Sequence, residues 1–409
     1  MTNPIANKHI ILGITGSIAC YKAADLASKL TQVGAEVDIL LTQAALQFVT
    51  PLTFQSVTGR RAYTDADLWG NEAHVLHVGL GHGTDLLAIA PATANTIARL
   101  AHGMADNLLT VTALAAKCPL LIAPAMDGEM YDHPATQANV EILRQRGAII
   151  VGPTEGRLAS GLVGVGRMVE PAEILGHIRL ALARSGPAEG RPLLGRKVVV
   201  TAGGTQEPID PVRSITNRSS GKQGFALAQA ALDLGAEVTL IAGVTTLPTP
   251  IGARRIDVQT AQDMLGAVLA ESAQADILLM AAAVADFRPA SPSGQKIKKE
   301  GGVPELRLEA TPDILRAVAK ARSETGFPCH TVGFAAESQR LVENARAKLV
   351  SKKLDLLVAN DISAPEVGFG VDTNKVTLVY PDGRTEALPL MSKTEVAEAV
   401  LQRVVGLNK

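Results

Sequence analysis

Two short glycine-bearing turns stand where phosphate chemistry is expected. Gly13-Ile14-Thr15-Gly16-Ser17 ends the apolar run HIILGIT, and Gly203-Gly204-Thr205 ends KVVVT. A turn that closes a strand and opens a helix leaves several backbone N–H groups free, and these favour an anion. The first turn lacks the full Gly-x-Gly-x-x-Gly fingerprint, and no acidic residue stands in an obvious ribose position. From spacing it reads either as a phosphate cradle or as a plain strand–helix turn. Downstream of the second turn, SSGKQG invites comparison with the common ATPase phosphate loop. Thr216 occupies that loop's first glycine position and Gln223 its last, so the pattern is not met. The backbone donors near Gly221 still make an anion site.

Groups able to move protons or neutralise charge follow other apolar runs. His74, His77 and His82 precede DLLAIA, where they read as a solvated loop or, more weakly, as a metal trio without a partnering carboxylate or cysteine. Thr93 and Asn95 follow DLLAIA, and Met126-Asp127 follow PLLIA. Open α/β sheets bind ligands at that carboxyl edge. GRLASGLVGVGRM, residues 156–168, carries four glycines and little periodicity, which suits a flap over a ligand or an inert loop. In the second half Asp286 closes DILLMAAAVAD, Lys296-Ile297-Lys298-Lys299 lies in a polar loop, Phe334 follows HTVG, and Asn360-Asp361 follow DLLVA. Together they point to a nucleotide and triphosphate chemistry, although KIKKE also reads as a solvated charge run. Cys20, Cys118 and Cys329 are too few and too scattered for a disulfide framework, and each reads as structural.

The elements that must hold these residues are those of an α/β protein. HIILGIT, EVDILLT, DLLAIA, PLLIA and AIIV read as buried strands, with helices over 21–34, 93–116 and 134–146. Glycine and proline gather over 184–196, and the opening pattern then recurs: strand, glycine turn, helix, and GAEVTLIAG echoing the earlier GAEVDILLT. KVTLVY and RTEALPL across a PDG turn read as a late antiparallel hairpin, before a last helix over 393–405. The fold class expected is α/β, two tandem Rossmann-like three-layer domains, the first flavodoxin-like and the second ending with the hairpin. With 409 residues, 39 Lys plus Arg against 40 Asp plus Glu, and 47% hydrophobic residues, the chain is neither disordered nor broadly basic. Nucleic acid is not an expected partner. No apolar stretch reaches membrane-spanning length and the first residues do not read as an export signal, so a soluble cytoplasmic protein is expected.

The segments GITGSIACYKAADL, HVGLGHGTDLLAIAPATANTIARL, GMADNLLT, APAMDGEMY and the glycine-rich flap, in this order, resemble the flavin-dependent phosphopantothenoylcysteine decarboxylase family. TAGGTQEPIDPVRSITNRSSGKQG, AAVADF, KIKK, TPDIL, GFAAE and AND resemble phosphopantothenate–cysteine ligase. Both halves together resemble the bifunctional bacterial coenzyme A biosynthesis family. The resemblance implies a decarboxylase domain over 1–185, a linker over 186–196 and a ligase domain over 197–409. It implies that CTP activates 4'-phosphopantothenate as an acyl-cytidylate, that L-cysteine displaces CMP, and that FMN then supports decarboxylation to 4'-phosphopantetheine.

Carried over by motif, His77 is the catalytic histidine, and Gly13, Gly16, Ser17, Thr42, Thr93, Asn95, Asp106 and Asn107 hold FMN. Asp127 and Met130 meet the decarboxylase substrate. Asn217 is to donate to the mixed-anhydride oxygens, and Lys296 to neutralise charge developing in the activation step. Gly203, Gly204 and Phe334 bind substrate, Asp286 contacts cytosine or ribose, and Lys348 with Lys352 reach the CTP phosphates. Mg2+ is expected on the triphosphate, with no protein ligand assigned. Ligase dimers and decarboxylase trimers are implied as well.

This chain departs from the family twice. Asp127 stands where Pro-x-Met-Asn is usual, and Ser160 replaces the cysteine of Ala-Cys-Gly. An ionised Asp127 repels a substrate carboxylate, and a serine hydroxyl is a much weaker acid than a thiol. An active ligase joined to a degenerate flavin-binding half, or a dinucleotide-dependent oxidoreductase, are the alternatives these features leave.

Overall fold

Alternation decides which way the first strand faces. Ile10, Leu12 and Ile14 pack with Leu26, Phe54 and Ile178 on one side, while Ile11 packs with Ile97, Leu109 and Val140 on the other. A strand covered on both faces must be apolar throughout, as HIILGI is. Each such side chain contributes about 1.5–3 kcal/mol by leaving water.

The computed structural model describes residues 3–69, 75–186, 188–298, 305–337, 339–361 and 370–407. They form two compact units, Thr2–Gly186 and Pro187–Lys409. The first runs β1 (His9–Ile14), α1 (Cys20–Gln32), β2 (Glu36–Leu41), α2 (Pro51–Thr58), β3 (Ala62–Thr64), α3 (Leu76–His82), β4 (Leu86–Ala92), α4 (Ala94–His102), α5 (Leu108–Ala115) and β5 (Leu120–Pro124). It continues through α6 (Gly128–Asp132), α7 (Pro134–Gln145), β6 (Ile149–Ile150), β7 (Thr154–Arg157), β8 (Val163–Arg167) and α8 (Pro171–Ser185). Six parallel strands lie in the order β3-β2-β1-β4-β5-β6. That is the Rossmann order rather than flavodoxin's 2-1-3-4-5.

Two stretches differ from their sequence reading. The single helix expected over 93–116 is two: α4 stops at Gly103 in the left-handed region, and Asn107 starts α5 with a capping box. The glycine-rich flap is an antiparallel hairpin, β7–β8, in which Gly156 stands opposite Gly164 and Arg157 opposite Val163.

The second unit runs β9 (Lys197–Ala202), β10 (Gln206–Pro208), β11 (Ser214–Thr216), α9 (Lys222–Asp233), β12 (Glu237–Ala242), β13 (Arg254–Asp257), α10 (Ala261–Ser272), β14 (Ile277–Met280), β15 (Phe287–Pro289) and β16 (Leu308–Ala310). It ends with α11 (Ile314–Thr325), β17 (His330–Glu337), α12 (Leu341–Ser351), β18 (Leu356–Asp361), β19 (Thr373–Asn374), β20 (Val376–Val379), β21 (Thr385–Ala387), β22 (Met391–Ser392) and α13 (Lys393–Leu407). Its sheet, β13-β12-β9-β14-β17-β18-β20-β21, repeats the same order over six parallel strands and adds the hairpin β20–β21 antiparallel. α10, α11 and α12 cover one face, and α9 with α13 cover the other. The repeated GAEV has a local cause. Gly34 and Gly235 both take a positive φ just past a helix, of 92° and 89°, which turns the chain back into the sheet.

Candidate functional site

In the first unit the strand order reverses between β1 and β4, and the loops leaving these strands are tied together. The buried hydroxyl of Thr15 donates to Pro91 O at 2.8 Å and accepts from Thr93 N at 3.0 Å. Ala125 N donates to Ala92 O, and Met126 N to Gly166 O, so the Pro-Ala-Met-Asp turn is fastened to one neighbouring loop and to the β7–β8 hairpin. Asp65 accepts from Gln43 N and from Leu108 N, joining the loop after β2 to the start of α5. The buried Lys22 donates to Met168 O and to Glu170, tying α1 to the end of the hairpin. Thr15 lay inside a turn already suspected, whereas Asp65 and Lys22 carried no sequence signal.

The candidate flavin residues divide into linings and braces. Among the described residues the amides of Gly16 and Ile18 have no partner, and they sit with Ser17 between β1 and α1. A Cβ on Gly16 would lie 2.6 Å from that of Ala44, so the turn must pass tightly. Gly13 is a packing position instead, its missing Cβ replaced by the Leu109 side chain. Thr42 is buried, donating to Ile14 O and accepting from Ala45 N. Thr93 caps α4, Asn95 is exposed on that helix's first turn, and Asp106 pairs with Arg99 at 3.0 Å. Asn107 accepts from Thr110 N with its carbonyl oxygen and keeps its NH2 without a partner among the described residues.

His77 is half-buried near the start of α3, and a helix that runs back along the sheet sets that end at the carboxyl edge. His82 closes the same helix at the opposite edge, where His9 donates to Gly83 O. The two histidines therefore stand apart and form no metal trio; His74 lies outside the described residues. The two departures from the family pattern meet each other. Ser160 Oγ donates to Asp127 Oδ2 at 2.6 Å, while Asp127 Oδ1 accepts from Glu129 N at 3.3 Å as the cap of α6. Met130 is exposed on that helix. Cys20 is buried and donates to Thr15 O, and burial pushes its thiol up.

In the second unit a cavity of about 600 Å³ opens at the carboxyl edge beside the β9–β14 reversal. Asn217, Asp286, Phe334, Lys348 and Lys352 line it, arriving from four separate stretches of chain. Lys348 makes no ion pair among the described residues, whereas Lys352 is paired with Asp313, the cap of α11. Burial raises the Asp313 carboxyl, but hydrogen bonds from Lys352 and from Arg316 N hold it below its ordinary value.

The arrangement bears on four of the expected residues. Asn217 Nδ2 donates to Val284 O at 3.0 Å and, more weakly, to Ala283 O at 3.4 Å, so its NH2 is turned to the loop after β14 and its Oδ1 is the acceptor left over. Lys296 does not line the cavity; it is exposed on the arm between β15 and β16, held where Ile297 N donates to Asp210. Gly203 and Gly204 do not line it either. Their bare backbones pack against Gly243 and the Asn217 carbonyl, where a Cβ would stand 3.1 Å from oxygen. Lys299 lies outside the described residues.

Comparison with known proteins agrees with this division. Residues 2–182 match the Flavoprotein family model, and residues 193–407 match the model described as DNA/pantothenate metabolism flavoprotein C-terminal domain. Over 404 residues the chain is 46% identical to the coenzyme A biosynthesis bifunctional protein CoaBC of Bacillus subtilis, covering 98% of each. The chain belongs to the CoaBC family. The family members of Vibrio cholerae and Mycobacterium tuberculosis are 46% and 45% identical, again over nearly the full length of both chains. As a CoaBC-type chain it is a bifunctional enzyme of coenzyme A biosynthesis, a flavoprotein decarboxylase followed by a phosphopantothenate–cysteine ligase. Among the described residues no helix is long and apolar enough to cross a membrane.

Proposed function

We propose that residues 197–409 join 4'-phosphopantothenate to L-cysteine using CTP, and that residues 1–185 decarboxylate the product with FMN, residues 186–196 being the linker. The observation that carries this reading is the cavity at the β9–β14 reversal, where an amide, a carboxylate and two lysines converge. Lys348, with Lys352 exchanging Asp313 for substrate, neutralises the triphosphate. Asp286 meets ribose or cytosine, and Phe334 supplies an apolar wall. Asn217 locks the loop after β14, and its Oδ1 accepts from the amine of the incoming cysteine. That amine displaces CMP from the acyl-cytidylate to form the amide. Mg2+ fits as a passenger of the triphosphate, with phosphate and water oxygens for ligands and the Asp286 carboxylate at hand. Lys296, exposed on the arm between β15 and β16, is the cation that neutralises charge developing in the activation step, and the ligase unit acts as a dimer.

The donor set of the first unit fits FMN. The Gly16 and Ile18 amides with Ser17 suit its phosphate, and the Asn107 NH2 and Asn95 suit polar atoms of its ring. Bound FMN supplies a two-electron sink and source, for oxidation of the cysteinyl thiol and reduction of the product after CO2 leaves. The His77 imidazole takes the thiol proton. Asp127, already accepting from Ser160 and Glu129 N, holds the hairpin over the substrate, so Ser160 acts as a latch rather than as an acid. The decarboxylase units assemble as a trimer in this reading, and Ile18, Tyr21, Phe48 and Leu52, exposed by 58%, 65%, 49% and 69%, are apolar side chains that such an assembly would cover. Three free thiols suit the reducing cytoplasm.

The purified chain, given FMN, Mg2+, CTP, L-cysteine and 4'-phosphopantothenate, is expected to release pyrophosphate and CMP, then CO2 and 4'-phosphopantetheine. Folded protein that yields neither pyrophosphate nor CMP rules the ligase reading out.

A further inference from the structure

The arm that bears Lys296 is set on the β10–β11 hairpin, and that hairpin is itself fixed to the body of the second unit. Gln206 N donates to Gln259 O at 2.7 Å, and the buried Glu207 carboxylate accepts from Ala261 N at the start of α10. At the far end of β11 the Thr216 hydroxyl donates to Thr205 O, and the next residue, Asn217, lines the cavity. The turn between the two strands is Ile209-Asp210-Pro211-Val212-Arg213. The Asp210 side chain has no exposed area, which is unusual for a carboxylate on a turn.

The two oxygens of Asp210 have different partners. Oδ1 accepts from Val212 N and Arg213 N, both at 2.8 Å, and so closes its own turn. Oδ2 accepts from Ile297 N, 87 residues along the chain, at 3.2 Å, and from Arg213 Nη1 at 3.3 Å. Burial raises this carboxyl, but the N–H groups of Val212, Ile297 and Arg213 and the Arg213 cation hold it below its ordinary value, so it is an acceptor only. Closing the turn takes one oxygen, and the other is left for the arm. Ser293 N also ties the arm to the hairpin, donating to Ile209 O at 2.8 Å, but the Asp210 bond falls on the residue next to Lys296. Lys296 is exposed, and its amine has no partner among the described residues. Its backbone is therefore held while its flexible stem stays free to follow charge.

We infer that Asp210 is a positioning residue for the activation step, holding Lys296 through the Ile297 amide where that lysine neutralises the developing charge. Asp210 does not line the cavity and acts only through Lys296. The inference rests on the ligase reading above. One buried carboxylate thus sets the lysine on the hairpin that also carries Asn217, so both groups are referred to a single frame.

Asp210→Asn separates the two oxygens. An amide keeps the oxygen that closes the turn and presents its NH2 to the Ile297 N–H, where two donors cannot bond. Pyrophosphate release by the full chain is expected to fall about tenfold in kcat, with KM for CTP, 4'-phosphopantothenate and cysteine within about twofold. The unchanged KM for CTP reports that the second unit is folded. Lys296→Ala alone is expected to lower kcat about 100-fold, and adding Asp210→Asn to it to change the rate by less than about twofold. A carboxylate that served only its own turn would slow the Lys296→Ala chain by about a further tenfold, and that result overturns the inference. Asp210→Asn with wild-type kinetics overturns it too, as does a raised KM for CTP with kcat unchanged. Should Asp210→Asn not fold, Ile297→Pro removes the same N–H from the arm's side and is judged by the same cycle with Lys296→Ala. Wild type that releases no pyrophosphate overturns the ligase reading, and Lys296→Ala at the wild-type rate overturns the role of Lys296 within it. Both outcomes are distinct from additivity in the double variant.

Discussion

The two units lay their six parallel strands in one order, yet their carboxyl edges are built differently. The first edge is a lattice of short hydrogen bonds, with Thr15 joining two loops and Asp65 joining two more, and its polar groups are mostly backbone amides and small side chains. The second edge is an open cavity of about 600 Å³ flanked by lysines and carrying two amide oxygens without a partner among the described residues. An edge whose loops are fastened to one another suits a cofactor that stays bound. A roomy, charged edge suits substrates that enter, react and leave. The strand order sets where ligands go, and the side chains at the edge set which ligands they are.

Substitutions at the two edges should therefore act independently, and the largest effects test that most sharply. His77→Asn is expected to slow CO2 release by about 100-fold or more while CMP release stays within about twofold. Asn217→Asp should do the reverse when 4'-phosphopantothenoylcysteine is supplied directly; loss of both activities in either variant breaks the independence. Next in size, Lys348→Ala should raise KM for CTP about tenfold without changing the decarboxylase, as steady-state kinetics on each half-reaction would report.

The Asp127–Ser160 contact sharpens the contrast at smaller scale. Ser160→Ala and Asp127→Ala should each lower CO2 release about five- to tenfold, and the double variant no further, because both remove one latch. Additive losses would instead assign the two side chains separate roles. The smallest effect concerns the amino edge of the first unit. His9 donates from Nδ1 to Gly83 O and from Nε2 to Asp38, so its ring is held as the cation, and the Asp38 bond raises it above its ordinary 6.5. A raised folded value means this stabilisation is complete below 6.5 and is lost as pH rises through the folded value. His9→Ala should cost about 1–2 kcal/mol at pH 5 and less at pH 9, read from urea unfolding at the two pH values.

Much of the scaffold was legible because a strand buried on both faces has to be written as an apolar run. HIILGI, LLAIAPA, KVVVTA and LLVAND stand out for that reason. The break between α4 and α5 was not, since MADN between two apolar stretches reads equally as a helix's solvent face. The hairpin β7–β8 was hidden by glycines that weaken any periodic signal. At the sites, motif position named Asn217, Asp286, Phe334, Lys348 and Lys352, which line one cavity, but it could not show that Lys296 stands outside that lining or that the Asn217 NH2 turns to the carbonyls of Ala283 and Val284.

The order of residues alone determined the alternation of elements, the glycine turns that open both halves, and the chemical types gathered after the strands, because each depends on neighbours within a few positions. Tertiary structure decided which end of each amide is already engaged, which lysine is already paired, and that Asp127 and Ser160 meet. Those outcomes depend on hydrogen-bond partners far away along the chain, such as Ala283 for Asn217 or Lys393 for Gln223, and only folding brings such atoms within 3.5 Å of one another.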